Sequence, residues 1–475
     1  MDKALDHNKI SLEMIVALSK RKGFVFQSSE IYGGFAATYD FGPLGILLKK
    51  NIEHLWRIHN VTTRTDVVEI EGAIFMHPKT WEASGHIGGF ADIMVEDLVT
   101  KKRYRADHLI EDAGIMDNAG SLTCEQIDEI IEKHKLLSPD KNPLSKSKKF
   151  NLLVKTHLGP VEDESSVAYL KGESCQNIYL DFNQVQQTTR RKLPFGIAQI
   201  GKAFRNEITV KQYMFRTREF EQMDVQYFYD PQNPFVDGQK VYEYWKNYRM
   251  SFYTDVLKIS EKNLSWRQHD DDELVFYAKD AWDINYTFGA LGSKEMEGVH
   301  DRGSYDLDQH AKFSGKDLTY TDPFDPTRKF NPPIIESSAG FNRIFLATMF
   351  EFYDEEEIVE GDKKDVRTVL RFPFELAPFK IAILPLMKKD RLGEIAFDLF
   401  AKLKKDGLSS DYDDGGSIGK RYRRQDEVGT CFCVTVDYQT LEDQTVTLRN
   451  RDTMEQKRIN ISQINADFLR TEFGL

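Results

Sequence analysis

Phe204-Arg205-Asn206-Glu207 decides the reading of this chain, together with Arg216-Thr217-Arg218-Glu219-Phe220 just behind it and Gly340-Phe341-Asn342-Arg343 far downstream. If 198–208 is a strand, alternation puts Gln199, Gly201, Ala203, Arg205 and Glu207 on one face. Gly201 and Ala203 then leave little above the sheet, so a ligand can lie close. Arg205 offers a two-pronged, charge-assisted contact to a phosphate, and Glu207 accepts from an exocyclic amine. On the returning strand Phe220 supplies a flat cover for a purine, and Arg216 or Arg218 reaches outer phosphates. The Gly340 turn brings Arg343 to a helix start, where unpaired amides also favour phosphate. Alone, an Arg-x-Glu is an ordinary surface ion pair on a hairpin. With the downstream turn added, the set describes a site for a planar base carrying a polyphosphate.

Working outward, strands are expected at 177–182, 198–208 and 220–229, closed by Pro231. A helix is expected at 11–22, stopped by Gly23. A Gly-rich loop from Ile31 to Gly45 opens a helix with apolar Ile46, Leu47, Ile52, Leu55 and Trp56; it lacks the P-loop pattern. An aromatic-rich helix is expected at 245–257. The stretch 107–170 is rich in Lys, Glu and Asp, has a helical run at 125–135, and is broken by Pro139, Pro143 and Pro160; it reads as an inserted module. Pro373 to Pro378 marks a boundary. Beyond it a buried strand at 380–385 leads into a helix carrying Leu392, Ile395, Ala396, Leu399, Phe400 and Leu403. A strand at 431–436, a hairpin at 445–448 and 458–461, and a helix at 463–473 complete a small α/β unit.

At 475 residues the chain is long enough for two or three domains. No apolar run approaches the roughly 20 residues that span a bilayer, and Met1 to Lys9 lacks the apolar core of a leader segment. Cytoplasmic residence and no membrane contact are the expectation. The four cysteines, Cys124, Cys175, Cys431 and Cys433, form no CxxC pair. Reduced buried thiols are expected, with Cys431 and Cys433 on one face of a strand. Net charge is −12 from 64 basic and 76 acidic residues, which argues against a general nucleic-acid binder. From Glu375 onward, however, 16 basic residues nearly balance 17 acidic ones. Lys420-Arg421-Tyr422-Arg423-Arg424 is there either a basic patch or a solvated helix face.

The arginine-bearing motifs resemble motifs 2 and 3 of the class II aminoacyl-tRNA synthetases. Within that class the chain resembles glycyl-tRNA synthetase of the homodimeric type. Blocks at Gly23-Phe24-Val25-Phe26, Ser29-Glu30-Ile31-Tyr32-Gly33-Gly34, Thr80-Trp81-Glu82-Ala83-Ser84-Gly85-His86, Tyr104-Arg105-Ala106-Asp107, Phe220-Glu221-Gln222-Met223-Asp224, Asp301-Arg302, Tyr305-Asp306-Leu307 and Glu336 to Arg343 carry the likeness. It implies an antiparallel-sheet catalytic domain over 1–374, with the inserted module, and a mixed α/β anticodon-binding domain over 375–475. It implies activation of glycine with ATP and Mg²⁺, then transfer to the terminal adenosine of tRNA(Gly) by a homodimer.

Carried over residue by residue, the resemblance gives ATP contacts at Arg205, Asn206, Glu207, Phe215, Arg216, Thr217, Arg218, Glu219, Phe220, Glu295, Met296, Gly340, Phe341, Asn342 and Arg343. Arg205 is implied for the α-phosphate, Arg343 for the γ-phosphate and Glu295 for Mg²⁺. The glycine pocket is implied at Arg105, Glu173, Phe220, Glu221, Gln222, Met223, Asp224, Glu336, Ser337, Ser338, Ala339 and Gly340. Three acids hold the ammonium: Glu173, Glu336 and, because alternation places it on the face of Phe220, Asp224 rather than Glu221. Arg105 is the partner for the carboxylate.

Departures are visible. Lys171-Gly172 stands where the family has Arg-Pro, and Asp224 where it has glutamate. Asp97-Leu98-Val99-Thr100 replaces a cysteine pair, so no zinc is expected. Asn342 stands for an aspartate, and Pro78 is the nearest motif 1 proline. Two other readings stay open: a synthetase-like binding subunit without catalysis, which would be expected to lose Arg205, Glu207 and Arg343, and a class II synthetase for threonine, proline or serine.

Overall fold

A computed structural model describes residues 5–89, 91–116, 119–208, 213–233, 238–270, 274, 278–360 and 363–474. The first four residues of the expected leaderless N-terminal stretch lie outside it. Its centre is a seven-stranded sheet. In chain order the strands are β1 (Val67–Glu69), β2 (Phe195–Phe204), β3 (Glu219–Phe228), β4 (Leu264–Gln268), β5 (Asp280–Thr287), β6 (Ser293–Gly303) and β7 (Ile334–Gly340). They lie in the order β4-β5-β6-β7-β3-β2-β1. Every neighbouring pair is antiparallel except β1 with β2.

Alternation gives this sheet two unlike faces. Met223, Val225 and Tyr227 of β3 and Ile335 and Ala339 of β7 point to the back. There they join Leu48, Ile52 and Trp56 of helix α1 (Pro43–Arg57) and Phe345 and Met349 of helix α2 (Phe341–Glu351) in one core. The front face is covered only at one end. The helix Cys175–Thr189 sets Ile178, Tyr179 and Phe182 against Phe195, Ile197, Phe228 and Ile334. Further along the same face the sheet is open, and there the polar residues gather.

The expected strand at 177–182 is thus a helix. Its Asn-Ile-Tyr-Leu-Asp-Phe alternates like a strand, but Ile178, Tyr179 and Phe182 lie on one helical side and bury together. In α1 the buried stripe is Leu44, Leu48, Ile52 and Trp56, with Ile46 outside. The 107–170 stretch does not close on itself: Lys148–Asn151 pairs with Ala91–Glu96, which also pairs with Arg103–Arg105.

A second, five-stranded sheet follows, in the order Ser410–Tyr412, Ile381–Pro385, Phe432–Val436, Thr445–Asn450, Gln456–Asn460; its first three strands are parallel. The two expected thiols do not share a face. Cys433 packs with Ala382 and Leu384, whereas Cys431, just before the strand, joins the core of Ile381 and Phe432. The hairpin Tyr353–Glu360 with Lys363–Leu370 connects the two units.

Candidate active site

A cavity of about 600 Å³ opens on the front face. At one end stand Arg205, Glu207, Phe215, Arg216, Thr217, Phe220, Lys294, Glu295, Asn342 and Arg343. β2 stops at Phe204, so Arg205 and Glu207 lie just past it rather than on a continuing strand. Arg205 is nevertheless fixed. Its amide donates to the Arg218 carbonyl at 2.9 Å, a bridge joins it to Leu153, and its Nε donates to the Gly172 carbonyl at 3.1 Å. Its guanidinium lies 5.2 Å from the centre of the Phe220 ring. Glu207 pairs with Arg216 at 2.8 Å.

Arg343, in the first turn of α2, donates through Nη1 to the Glu295 carbonyl at 2.9 Å and pairs with its carboxylate at 3.1 Å. Asn342 Nδ2 donates to Thr217 Oγ1 at 3.2 Å, tying the downstream turn to the returning strand. One expectation fails here. The space above Gly201 is taken by the protein's own side chains: a Cβ there would meet Lys171 Nζ and Ser174 Oγ, both at 2.9 Å. The sheet is open one strand further over, beyond Gln222.

At the other end of the cavity are Glu173, Gln222, Gly298, His300, Arg302, Glu336 and Ser338. Glu336 is buried. Its Oε2 accepts from Arg302 Nη1 at 3.0 Å and faces His300 Nδ1 at 3.1 Å; its Oε1 accepts from Gln226 Nε2 at 3.0 Å. Burial pushes its pKa up, but Arg302 and His300 overcome that and hold it at about 2. Glu173 pairs with His86 Nε2 at 3.0 Å and stands 3.8 Å from Arg205. Against the upward push of burial, His86, Arg302 and Arg205 hold its carboxyl well below the usual range.

Asp224 behaves oppositely. It is wholly buried, and neither carboxylate oxygen has a hydrogen bond of normal geometry. Burial pushes its pKa up to about 7; Glu336 and Glu173 add to this, and the nearby Ser338 and Ser174 hydroxyls oppose it. Three acids thus sit in electrostatic contact, two held charged and the third pushed toward its protonated form.

The sheet sorts the remaining sequence-derived residues. Glu221 turns away from the cavity and pairs with the buried Lys49. Met223, Met296, Ala339 and Phe341 are in the back core, and Ser337 donates to Glu297 at 2.6 Å on that side. Gly340 lines the cavity. Glu219 pairs with Lys202, Arg218 Nε donates to the Glu207 carbonyl at 3.1 Å, and Asn206 is engaged through its amide with the Leu152 carbonyl at 2.8 Å. Arg105 lines a separate cavity of about 280 Å³. There Nη1 pairs with Asp92 at 3.0 Å and Nε donates to Asp107 at 3.0 Å. Sequence reasoning gave no role to His86, Lys294, Gly298, His300 and Arg302. Arg302 lies near the end of β6 and is locked by Asp306 of the helix that follows, which accepts from it at 2.8 Å.

Fold and site define a class II aminoacyl-tRNA synthetase. Prolyl-tRNA synthetase from Cryptosporidium parvum, solved with halofuginone and AMPPNP, superposes with a TM-score of 0.62 at 16% identity, over 97% of this chain and 78% of that one. The anticodon binding domain model matches residues 380–470. Relatives at much higher identity narrow the class. The glycine–tRNA ligase of Treponema denticola is 49% identical over 96% of both chains. That of Borreliella burgdorferi is 47% identical over 98% of both, and that of Clostridium beijerinckii 46% over 96% of this chain and 97% of its own. The chain belongs to the glycine–tRNA ligase family.

Proposed function

We propose that this cavity activates glycine with ATP to glycyl-adenylate, and that the protein then transfers glycine to the 3′ end of tRNA(Gly). One observation carries the reading. Glu173 and Glu336 line one end of a cavity whose other end holds Arg205, Phe220 and Arg343, and the wholly buried Asp224 is in electrostatic contact with both acids. The acids suit a small ammonium group, and the arginines with the aromatic ring suit a purine polyphosphate.

In this reading Phe220 covers the adenine, with Glu207 accepting from its amine after releasing Arg216. Arg205 stabilises charge on the α-phosphate as the glycine carboxylate attacks phosphorus and pyrophosphate leaves. Arg343 holds the γ-phosphate. The step needs positioning and charge stabilisation rather than a protein nucleophile. Glu295, half-exposed and facing the cavity, fits a cation that takes one carboxylate plus phosphate oxygens; Mg²⁺ bound there supplies charge neutralisation on the leaving pyrophosphate. Asp224 is shorter than the family's glutamate, and its ionisation completes the ammonium site. Arg105 reaches glycine only by giving up Asp92 and Asp107, so the cations nearest the acids, Arg205 and Arg302, are the better carboxylate partners. The unit from 375 onward contacts the tRNA anticodon, and the segment from about Ala91 to Leu170 forms the inserted module.

No helix among the described residues is long and apolar enough to cross a membrane. We extend the reading to a homodimer in the cytoplasm, which light scattering and fractionation test. The chemistry is tested by ATP–pyrophosphate exchange across a panel of amino acids. Glycine alone should support strong exchange, with alanine and serine excluded by size. Exchange with threonine or proline and not with glycine would sink the assignment.

A further inference from the structure

Beside the acid pocket, on the same front face, His269, Asp283 and His300 come together, and of the three only His300 reaches the pocket, through Glu336. Cross-strand register places them there. His300 of β6 lies opposite Ala281 of β5, and Asp283 lies opposite Gly298 on β6 and Arg267 on β4. His269 extends β4 by one residue, its amide donating to the Ala281 carbonyl at 3.0 Å. His269, Asp283 and His300 therefore share a face, and their ligand atoms all lie within 4.8 Å of one another.

Three details separate this cluster from an ordinary ion pair. First, the two Asp283 oxygens face different imidazoles: Oδ2 is 2.7 Å from His269 Nε2, and Oδ1 is 3.9 Å from His300 Nε2. The second distance is too long for a hydrogen bond, and the buried His300 Nε2 has no hydrogen-bond partner. Two atoms each about 2.0–2.2 Å from one zinc ion stand roughly 3–4 Å apart, so that gap suits a shared cation. Second, the other ring nitrogen of His300 faces Glu336 at 3.1 Å. A carboxylate behind an imidazole fixes the tautomer and leaves the lone pair on the far nitrogen, as behind metal-bound histidines. Third, Gly298 makes the room. A Cβ there would meet His300 Nε2 at 2.6 Å, so only glycine lets the ring lean over Asp283. The nearest competing cation is Arg267, 3.9 Å from Asp283 Oδ2.

We propose that His269, Asp283 and His300 bind a divalent transition-metal ion of the zinc type, with Glu336 orienting His300 from behind. Two imidazoles and one carboxylate are a donor set for such an ion, with a further position left for water. The expectation of a zinc-free chain rested on missing cysteine pairs, and this set needs no cysteine. The metal is a positioning device: by holding His300 it holds Glu336, a wall of the glycine pocket.

The full-length protein, stripped with chelator, is titrated with Zn²⁺ by calorimetry and with Co²⁺ by visible absorption. One equivalent per chain is expected, with a Co²⁺ spectrum free of the thiolate charge-transfer band that any of the four cysteines would give. His269→Ala and His269→Gln should lose that equivalent while keeping the wild-type circular dichroism, and Glu336→Gln should weaken it about 10–100-fold. No stoichiometric equivalent in the wild-type protein overturns the proposal, whatever the variants do. So does a thiolate band, or an equivalent that survives in both folded His269 variants.

Discussion

Two networks of buried charge lie in this chain, and they differ in what they leave unpaired. The first joins the connecting hairpin to the C-terminal unit. Arg367, fully buried, pairs with Asp426 at 2.8 Å and with Glu356 at 2.7 Å. Arg449 holds the same aspartate through both oxygens, at 2.8 and 3.0 Å. Arg371 pairs with Asp354 at 2.9 Å and Asp452 at 3.1 Å. Each acid named there meets an arginine. The second network lies at the candidate active-site cavity, where neither the Asp224 carboxylate nor His300 Nε2 has a hydrogen-bond partner of normal geometry. Arginines and carboxylates build both, and histidines join only the second. A buried charge with its counter-charge in place is structural, and one whose partner is missing marks where a ligand belongs.

The largest effect that can break this comparison comes from cutting the chain near Arg371. That deletion removes Asp426 and Arg449 from beneath Arg367. It also removes Phe372, Phe374 and Leu376 from a core that runs without interruption into Ile381, Leu399 and Val434. The expected result is an insoluble or unfolded fragment without glycine-dependent exchange. A soluble, active fragment would show that the hairpin network is dispensable and the two units independent.

Single substitutions come next and should act in opposite ways. Arg205→Ala should lower the exchange rate by about 10²–10³ and leave the thermal midpoint in place, since its side chain is only partly buried. Arg367→Ala should lower unfolding free energy by roughly 1–3 kcal/mol, because the buried Asp426 and the Arg451 carbonyl each lose a donor while Arg449 still holds Asp426, and keep the exchange rate per folded molecule. Rate and stability measured on both variants decide the matter; a folded Arg205→Ala protein with normal exchange would remove the cavity from the chemistry.

The sequence made one of these networks readable and hid the other. The active-site strands were legible because alternation on 219–228 is strict: it separates Asp224 from Glu221, and the structure does put Glu221 on Lys49 at the back. Extending the same rule past Phe204 was wrong in detail, because the chain leaves the sheet there and bridges to Leu153. Nothing local separates Arg105 from the cavity, since its partners Asp92 and Asp107 come from a strand and a helix start around it. The hairpin network escapes because Arg367, Asp426 and Arg449 are far apart in sequence. His269, Asp283 and His300 escape for the same reason: they meet only through strand register. The 177–182 error is a period misread, resolved by which side of the segment has a core to bury against.

A smaller effect distinguishes the acids of the pocket by pH. Glu336 has a folded pKa of about 2, below the unfolded value of about 4.3. Its contribution to stability is therefore present above about pH 4 and lost as pH falls towards 2. Asp224 has the reverse sign. Its folded pKa of about 7 lies above the unfolded value of about 3.9, so its contribution is complete below about pH 4 and lost as pH rises to about 7. Asp224→Asn should flatten the fall of unfolding free energy between pH 4 and 7, read by denaturant titration. In the intact protein the glycine KM should fall over the upper part of that window as Asp224 becomes charged. A glycine KM flat from pH 6 to 8 would mean that Asp224 is not part of the ammonium site.

The smallest expected effect concerns the basic run at 420–424, where the two explanations of a buried charge meet on one helix, Ile418–Val428. As a sequence it offers four cations to an anionic partner. In the structure three are engaged. Arg421 is buried and donates to the carbonyls of Leu386 and Gly416 at 3.3 and 3.0 Å. Arg424 pairs with Asp413 at 2.6 Å, and Arg423 with Asp365 at 3.1 Å. Among the described residues the exposed Lys420 is the one cation of the run with neither an ion pair nor a side-chain hydrogen bond. A patch that spends its arginines internally has little charge left to displace counterions from tRNA phosphates. Lys420→Ala should thus change stability by less than about 0.5 kcal/mol and leave the salt dependence of the tRNA KM in aminoacylation unaltered. A lost phosphate contact would instead reduce the slope of that dependence by about 1. A reduction of that size would return the helix to the tRNA-binding surface and show that pairing inside the protein does not by itself remove a cation from recognition.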